Sequence, residues 1–384
     1  MKTIPYGKQN VSDEDIQRVV EVLQSDWLTQ GPAITKFEET VAEYCGAKYA
    51  VAVSSATAAL HIACLAADLG SGDQLWTSPN TFVASANCGI YCGAEVDFVD
   101  IDERTYNLCP ETLKEKLDSS VKIPKVLIPV HFSGQSCEMK KISELTKEYG
   151  ITIIEDASHG LGGSYQGRKI GSCIFSQMTV FSFHPVKIVT TGEGGIITTN
   201  SEELYKKLIL LRSHGITRDE NLMEGQSFGP WYYEQISLGY NYRITDIQAA
   251  LGISQMQRID QFIARRHYLA ERYNQLLNQL PLILPWQHPD NYSAYHLYVI
   301  RLKLDQIDIS HKEVFQHLRK SGINVNLHYI PVHTQPYYRR KGFAIGDFPK
   351  VEQYYSQAIT LPLYYGLTEQ EQNYVVERLK EVLK

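Results

Sequence analysis

The sequence predicts an α/β protein, with a large domain on a mostly parallel sheet and a smaller C-terminal α/β unit. Three observations carry this. Between residues 49 and 213, short apolar runs alternate with stretches of helical period, the pattern of a parallel sheet covered on both faces. The chain has 384 residues, more than one small core holds. Pro281, Pro285 and Pro289 follow a long helical region and mark the best domain boundary. The expected domains are 1–280 and 281–384.

The elements read in order. Ser12 caps a helix with Ile16, Val19, Val20 and Leu23 on one face. A Gly31-Pro32 break leads to a second helix carrying Phe37, Val41 and Tyr44. Tyr49-Ala-Val-Ala-Val53 is a buried strand that runs through Ser54-Ser-Ala-Thr57 into a helix ending near Leu69. Further strands are expected at 74–78, 95–99, 125–130, 151–155, 170–174, 179–183 and 195–199. Helices are expected at 82–92, 110–118, 138–149 and 202–213, then one long helical region from Thr245 to Gln279. Beyond the boundary, strands are expected at 295–304 and 323–327, and helices at 310–321, 349–357 and 368–383.

Composition excludes several classes. The net charge of −6 leaves no basic footprint for nucleic acid. No apolar run approaches the length of a membrane span, and the first residues, Met1-Lys-Thr-Ile-Pro-Tyr6, do not read as a signal peptide. A cytoplasmic protein is expected. Seven cysteines are scattered without CxxC spacing, and none sits among further metal ligands. Free thiols packed as small hydrophobes are expected, with no metal. Cys88 and Cys92 share a helix face.

One stretch carries the chemistry. Thr179-Val-Phe-Ser-Phe-His-Pro-Val-Lys187 places a single lysine between two apolar strands. Lysine is almost never fully buried without a partner, and in a dry pocket its amine is a nucleophile toward carbonyls. Asp156 ends the apolar strand Ile151-Thr-Ile-Ile-Glu-Asp156. Such a pair is what pyridoxal phosphate requires: the lysine bonds the aldehyde, and the carboxylate keeps the pyridine nitrogen protonated. Ser54-Ser-Ala-Thr57, between a strand and a helix start, offers the Ala56 and Thr57 amides and the Thr57 hydroxyl to a phosphate, or is an ordinary cap. Ser182 either aims at the same phosphate or packs in the core. Phe82 either stacks on a cofactor ring or packs. His159, one turn past Asp156, could hydrogen-bond and orient that carboxylate. Asn241 and Arg243, in Gly239-Tyr-Asn-Tyr-Arg243, either reach a site or lead into the following helix.

Taken jointly, these segments resemble the DegT-type sugar aminotransferases, within the fold-type-I pyridoxal phosphate enzymes. The resemblance spans the chain. It rests on Leu28-Thr-Gln-Gly31, Ser55-Ala-Thr-Ala-Ala-Leu-His61, Glu155-Asp-Ala-Ser-His159, Phe181-Ser-Phe-His-Pro-Val-Lys187, Gly192-Glu-Gly-Gly195, Arg212-Ser-His-Gly215, Gly239-Tyr-Asn-Tyr-Arg243 and His328-Tyr-Ile-Pro331. It implies a mixed, mostly parallel seven-stranded sheet between helices. It implies catalytic Lys187 and Asp156, with Ala56, Thr57, Phe82, His159 and Ser182 around pyridoxal phosphate. It also implies that Asn241 reaches the cofactor of a partner subunit, hence a homodimer with shared sites. Ile4-Pro-Tyr-Gly7, Ser25-Asp-Trp-Leu-Thr-Gln-Gly-Pro32, Ser85-Ala-Asn-Cys-Gly-Ile-Tyr-Cys-Gly-Ala94 and Val96-Asp-Phe-Val-Asp-Ile-Asp102 are similar to the pseudaminic acid branch of the family. That branch moves an amino group from L-glutamate to C4 of UDP-2-acetamido-2,6-dideoxy-β-L-arabino-hex-4-ulose. The resemblance then implies a sugar-nucleotide site lined by Tyr6, Asp26, Trp27, Leu28, Thr29, Asn326, Leu327, His328 and Tyr329, residues 1–33 contributing. Arg243 is a candidate for gripping a substrate carboxylate. Another 4-keto or 3-keto nucleotide sugar is the alternative acceptor, and a non-catalytic cofactor-binding homologue is the rival class.

Overall fold

The computed structural model describes residues 3–383. Its centre is a seven-stranded sheet. In chain order the strands are β1 (Tyr49–Val53), β2 (Gln74–Thr77), β3 (Glu95–Phe98), β4 (Val126–Ile128), β5 (Thr152–Asp156), β6 (Met178–Ser182) and β7 (Gly195–Thr199). Their spatial order is β1-β7-β6-β5-β4-β2-β3. All neighbours are parallel except those of β7, which runs antiparallel to both β1 and β6. Buried residues alternate between the two faces. Ala50, Ala52, Phe181 and Ile196 join one core cluster, and Val51, Val53, Val180 and Ile197 the other. This period of two, with apolar residues on both sides, is what a doubly covered sheet demands.

The helices used below are α1 (Asp13–Leu23), α2 (Pro32–Cys45), α3 (Ala56–Ala66), α4 (Ala84–Tyr91), α5 (Pro110–Ser119), α6 (Met139–Lys147), α7 (Glu202–Arg212), α8 (Asp246–Met256) and α9 (Ile259–Leu277). Their starts are chemically marked. Ser12 and Thr245 close reciprocal capping boxes with Asp15 and Gln248. Pro32 and Pro110 sit in first turns, where the missing N–H costs nothing.

A separate apolar cluster gathers Ile4, the second half of α9 and residues from Leu282 onward. It surrounds the antiparallel strands Leu282–Ile283, Tyr298–Leu302 and Ala358–Leu361. Arg266 on α9 is buried at this junction. One of its guanidinium nitrogens donates to the carbonyls of Tyr295, His296 and Leu363 at 3.1, 3.1 and 2.9 Å. Burial lowers its pKa to about 10, and the three carbonyls satisfy the charge that α9 carries into the core.

Three expectations need correction, and one apolar helix face is left uncovered. Residues 170–174 are not a strand: Gly171 takes φ +94° and Cys173 φ +51°, so the chain reverses there. The region 245–279 is two helices, broken at Arg258, whose side chain reaches back to Asn10 and Asp15. The strand at 323–327 keeps only Ile323–Asn324, with an isolated bridge from Asn326 to Thr360. The apolar face of α1 is not a core face: Ile16 and Leu23 are each 54% exposed.

Arg266 supplies a test. Replacing it with Met leaves three buried carbonyls without a donor, at about 1–3 kcal/mol each. Arg266→Met is expected to lower the unfolding free energy in urea by about 3 kcal/mol or more. A loss under about 1 kcal/mol would show that the carbonyls find other partners.

Candidate active site

The parallel strands end on one edge of the sheet, where ligands of open α/β sheets bind. The register brings Gly195 opposite both Val53 and Ser182, and Asp156 opposite Val180. A cavity of about 740 Å³ opens there. Beyond β1, Ser55 caps α3, its hydroxyl accepting from Ala58 N at 3.1 Å. The amides of Ala56 and Thr57 thus stand at a helix start facing the cavity. Gly195 packs directly beneath them. A Cβ there would come within 2.5 Å of the Ser55 carbonyl carbon, so a side chain would push β7 off the cradle.

Lys187 hangs in the loop between β6 and β7, half-buried, its amide donating to His184 O at 2.8 Å. The loop is held by Phe183 O, which accepts from Thr190 Oγ1 at 2.9 Å and from Thr191 N at 3.1 Å. Burial lowers the Lys187 ammonium from its usual 10.5 to about 8, against the upward pull of Asp156. Asp156 is buried at the end of β5. Its Oδ2 accepts from Ser85 Oγ at 2.6 Å and its Oδ1 from Ser158 N at 3.0 Å. Ser85 is in turn bonded to Thr81 Oγ1 at 2.7 Å.

The partner of Asp156 is therefore Ser85, not His159. His159 is buried and accepts from Ser133 N at Nδ1, at 3.2 Å. That bond leaves the proton on Nε2, which donates to Tyr329 OH at 3.1 Å. His159 titrates well below its ordinary range, chiefly from burial and then from Lys187 and His328. His328, bonded to Thr360 Oγ1 at 2.9 Å, is pushed down to about 3 by burial and Lys187. His296 stands 4.4 Å from the His159 ring and is also held neutral, by burial first. Burial raises the Tyr329 hydroxyl, with Asp156 and Tyr6 adding to the shift.

The structure sorts the expected residues into two groups. Tyr6, Ala56, Thr57, Phe82, Asp156, His159, Ser182 and Lys187 line the cavity, as do Asn326, Leu327, His328 and Tyr329. Phe82 is 60% exposed and lines the cavity. Asp26, Trp27, Leu28, Thr29, Asn241 and Arg243 do not line it. Trp27 and Leu28 are 55% and 47% exposed. Thr29 bridges Thr245, and Arg243 donates to Ser213 Oγ at 3.0 Å. Asn241 is exposed and bridges Ser213. Sequence reasoning from single residues missed Thr81, Ser85, Ser158 and His296. The four-residue spacing of Thr81 and Ser85 was a signal; His296 had none. Among the described residues, no group of His, Cys, Asp and Glu could hold a metal ion.

The donor set fits pyridoxal phosphate. An amine of lowered pKa faces a doubly hydrogen-bonded carboxylate, helix-start amides are free for a phosphate, and an aromatic ring is bare. Comparison with known proteins agrees. The model of the DegT/DnrJ/EryC1/StrS aminotransferase family matches residues 9–380. The chain belongs to this family. It is 39% identical to the spore coat polysaccharide biosynthesis protein SpsC of Bacillus subtilis, over 99% of this chain and 97% of SpsC. Spr1654 of Streptococcus pneumoniae, in its PLP form, superposes with a TM-score of 0.90 at 30% identity, covering 99% of this chain and 98% of that one. Helicobacter pylori PseC, an aminotransferase involved in the biosynthesis of pseudoaminic acid, also gives 0.90 at 30% identity, covering 100% and 99%. The chain is a pyridoxal-phosphate-dependent sugar aminotransferase of fold type I. Among the described residues, no helix is long and apolar enough to cross a membrane.

The lowered pKa of Lys187 has a measurable consequence. Below pH 8 its ammonium is charged in both folded and unfolded protein, so the folded state bears the desolvation cost. Between about 8 and 10.5 the folded amine is neutral while the unfolded one still binds a proton, so stability rises with pH. Cofactor-free Lys187→Met is therefore expected to melt above the cofactor-free wild type at pH 7. The gap should close as pH rises through that window. A gap that stays constant with pH would contradict the shift.

Proposed function

We propose that the enzyme moves an amino group from L-glutamate to C4 of a UDP-linked 4-keto sugar. The acceptor is UDP-2-acetamido-2,6-dideoxy-β-L-arabino-hex-4-ulose, and the product is UDP-4-amino-4,6-dideoxy-N-acetyl-β-L-altrosamine, for pseudaminic acid biosynthesis. The observation that carries the reading is the half-buried Lys187 of lowered pKa facing Asp156. A non-catalytic binding protein has no use for that arrangement. The 0.90 superposition on PseC and the segments shared with the pseudaminic acid branch support the acceptor.

Bound pyridoxal phosphate supplies an aldehyde that takes up the amino group and a ring that acts as an electron sink. Lys187 would hold that aldehyde, and its Nζ, once free and neutral, would take the donor Cα proton as base and give one to the acceptor C4 as acid. Asp156, braced by Ser85 and Ser158, would partner the ring nitrogen. The Ala56 and Thr57 amides and the Ser182 hydroxyl would hold the phosphate, and Phe82 would cover the ring. Tyr6, Asn326 and His328 face the sugar. We place Asn241, Arg243 and the Asp26–Thr29 loop at the cavity of a partner subunit. Trp27 and Leu28 of that loop are exposed, which fits a cytoplasmic homodimer with shared sites. The 39% identity to SpsC favours, as second reading, a keto sugar of a surface polysaccharide.

Absorbance tests the chemistry. L-Glutamate should bleach the visible cofactor band, and the keto sugar should restore it. NMR of the product, with several keto sugars offered, then reads the stereochemistry at C4. Lys187→Ala should lose about a thousandfold or more of turnover. Half-normal activity in that variant would sink the assignment.

Mixing tests the shared site. Lys187→Ala and Asn241→Ala should each be poorly active alone. Unfolded and refolded together, they should recover activity, because mixed dimers contain one intact site. No recovery from a mixture shown to form mixed dimers would mean that Asn241 serves its own chain.

A further inference from the structure

Away from the reacting groups, α3 and α4 bring three cysteines together. Cys64 and Cys88 are fully buried in one apolar cluster, and half-buried Cys92, at the end of α4, packs against it. Ala59 and Ala63 on α3 and Ala84 on α4 belong to the same cluster, and such small side chains let helices approach closely. The thiol protons are spoken for in a definite order. Cys88 Sγ donates to Ser85 O at 3.2 Å, and Cys92 Sγ lies 3.9 Å from His61 O, on the turn that carries Cys64. Cys64 packs in the same cluster as both of the others.

His61 completes the group. Its Nδ1 pairs with Tyr242 OH at 3.1 Å. Its Nε2 is buried with no partner among the described residues. Cys64 first, and then His61, lower the Cys92 thiol to about 6 against the effect of burial. A thiol that is partly accessible, beside an imidazole and a second thiol, is the setting of a redox-active cysteine.

We propose that Cys92 is a peroxide-reactive thiol that forms a reversible disulfide with Cys64, tying α3 to α4. Hydrogen peroxide is the oxidant. The Cys92 thiolate attacks one peroxide oxygen, an S–O bond forms, the O–O bond breaks, and the departing hydroxide is protonated to water. Cys64 then attacks the oxidised sulfur, the S–S bond forms, and a second water leaves with the Cys64 proton. The two thiols are oxidised by two electrons in all, and one peroxide is reduced to two waters. A small-molecule dithiol reverses the reaction by exchange.

The link bears on the cofactor. α3 begins with Ala56 and Thr57, and Ser85 on α4 braces Asp156, so a bond between the helices strains both supports. This consequence rests on the cofactor roles proposed for those residues; the disulfide itself does not.

The experiment treats the holoenzyme with hydrogen peroxide, blocks remaining thiols and maps peptides by mass spectrometry. A Cys64–Cys92 link that dithiothreitol removes is expected, lost in Cys92→Ser and retained in Cys88→Ser. No link, a link between another pair, or loss of the link in Cys88→Ser would overturn the proposal. If Cys92→Ser does not fold, iodoacetamide labelling of the wild type decides. Cys92 should react first, at a rate that falls only below about pH 6, and first reaction elsewhere overturns it. Cofactor absorbance on gel filtration separates the two readings. Oxidation should release cofactor, and a disulfide that forms without release leaves the thiol pair standing and counts against the cradle assignment.

Discussion

Everything at the site depends on one strand running against its neighbours. β7 enters the sheet antiparallel between β1 and β6, so its first residue lies at the edge where theirs end. That first residue is Gly195, and the space above it is filled by the Ser55 and Ala56 backbone. The loop feeding β7 is thereby laid across the helix start at Ala56, with Lys187 in it. A parallel strand at this position would carry its entry loop to the opposite edge of the sheet. The lysine and the helix-start amides meet because β7 is reversed and because its first residue has no side chain.

The surroundings of Lys187 follow a consistent electrostatic logic. Burial alone would favour a neutral amine, and Asp156 pulls the other way. Protonated histidines nearby would add repulsion to the desolvation cost. His159, His296 and His328 are all held neutral instead. One reason is local. His159 already accepts an amide N–H at Nδ1, so protonating that nitrogen would break the bond that orients the ring. The same ring carries the Tyr329 hydroxyl, and Tyr329 stands 6.3 Å from Phe82. Segment 326–329, from the C-terminal part of the chain, is in this way anchored to the sheet by a hydrogen-bond relay. Arg266 fixes its counterpart at 295–296.

The apolar face of α1 makes a separate point about what a single chain can satisfy. Its helical period is clear in the sequence, and its cap and capping box form as the sequence requires. The helix docks through Asp15, which is fully buried and accepts from Gln255 Nε2 at 2.6 Å and from Ser12 N at 2.8 Å. Ile16 and Leu23 remain exposed, as do Trp27 and Leu28 in the loop beyond. Amphipathic period therefore marks a helix face, and tertiary packing decides whether that face is covered.

Much of this protein was legible in its sequence, because the relevant signals are local. Strand, helix and cap each depend on residues within a few positions, and six of the seven expected strands beyond β1 stand where their apolar runs lie. The motifs around Lys187 and Asp156 were legible for the same reason, since each is a contiguous strand-end or turn. The exceptions are set by distant contacts. Residues 170–174 look like a strand, but Gly171 and Cys173 turn the chain at positive φ. The break at Arg258 reflects its long-range pairing with Asn10 and Asp15. Ser85 reaches Asp156 across 71 positions, at 2.6 Å, and His296 enters the cavity from beyond the proline cluster. Sequence alone determined which residues could do the chemistry, because reactivity belongs to residue types in local settings. Tertiary structure decided which of them meet and what proton each holds, because hydrogen bonding and desolvation are properties of neighbours that the chain's order does not name.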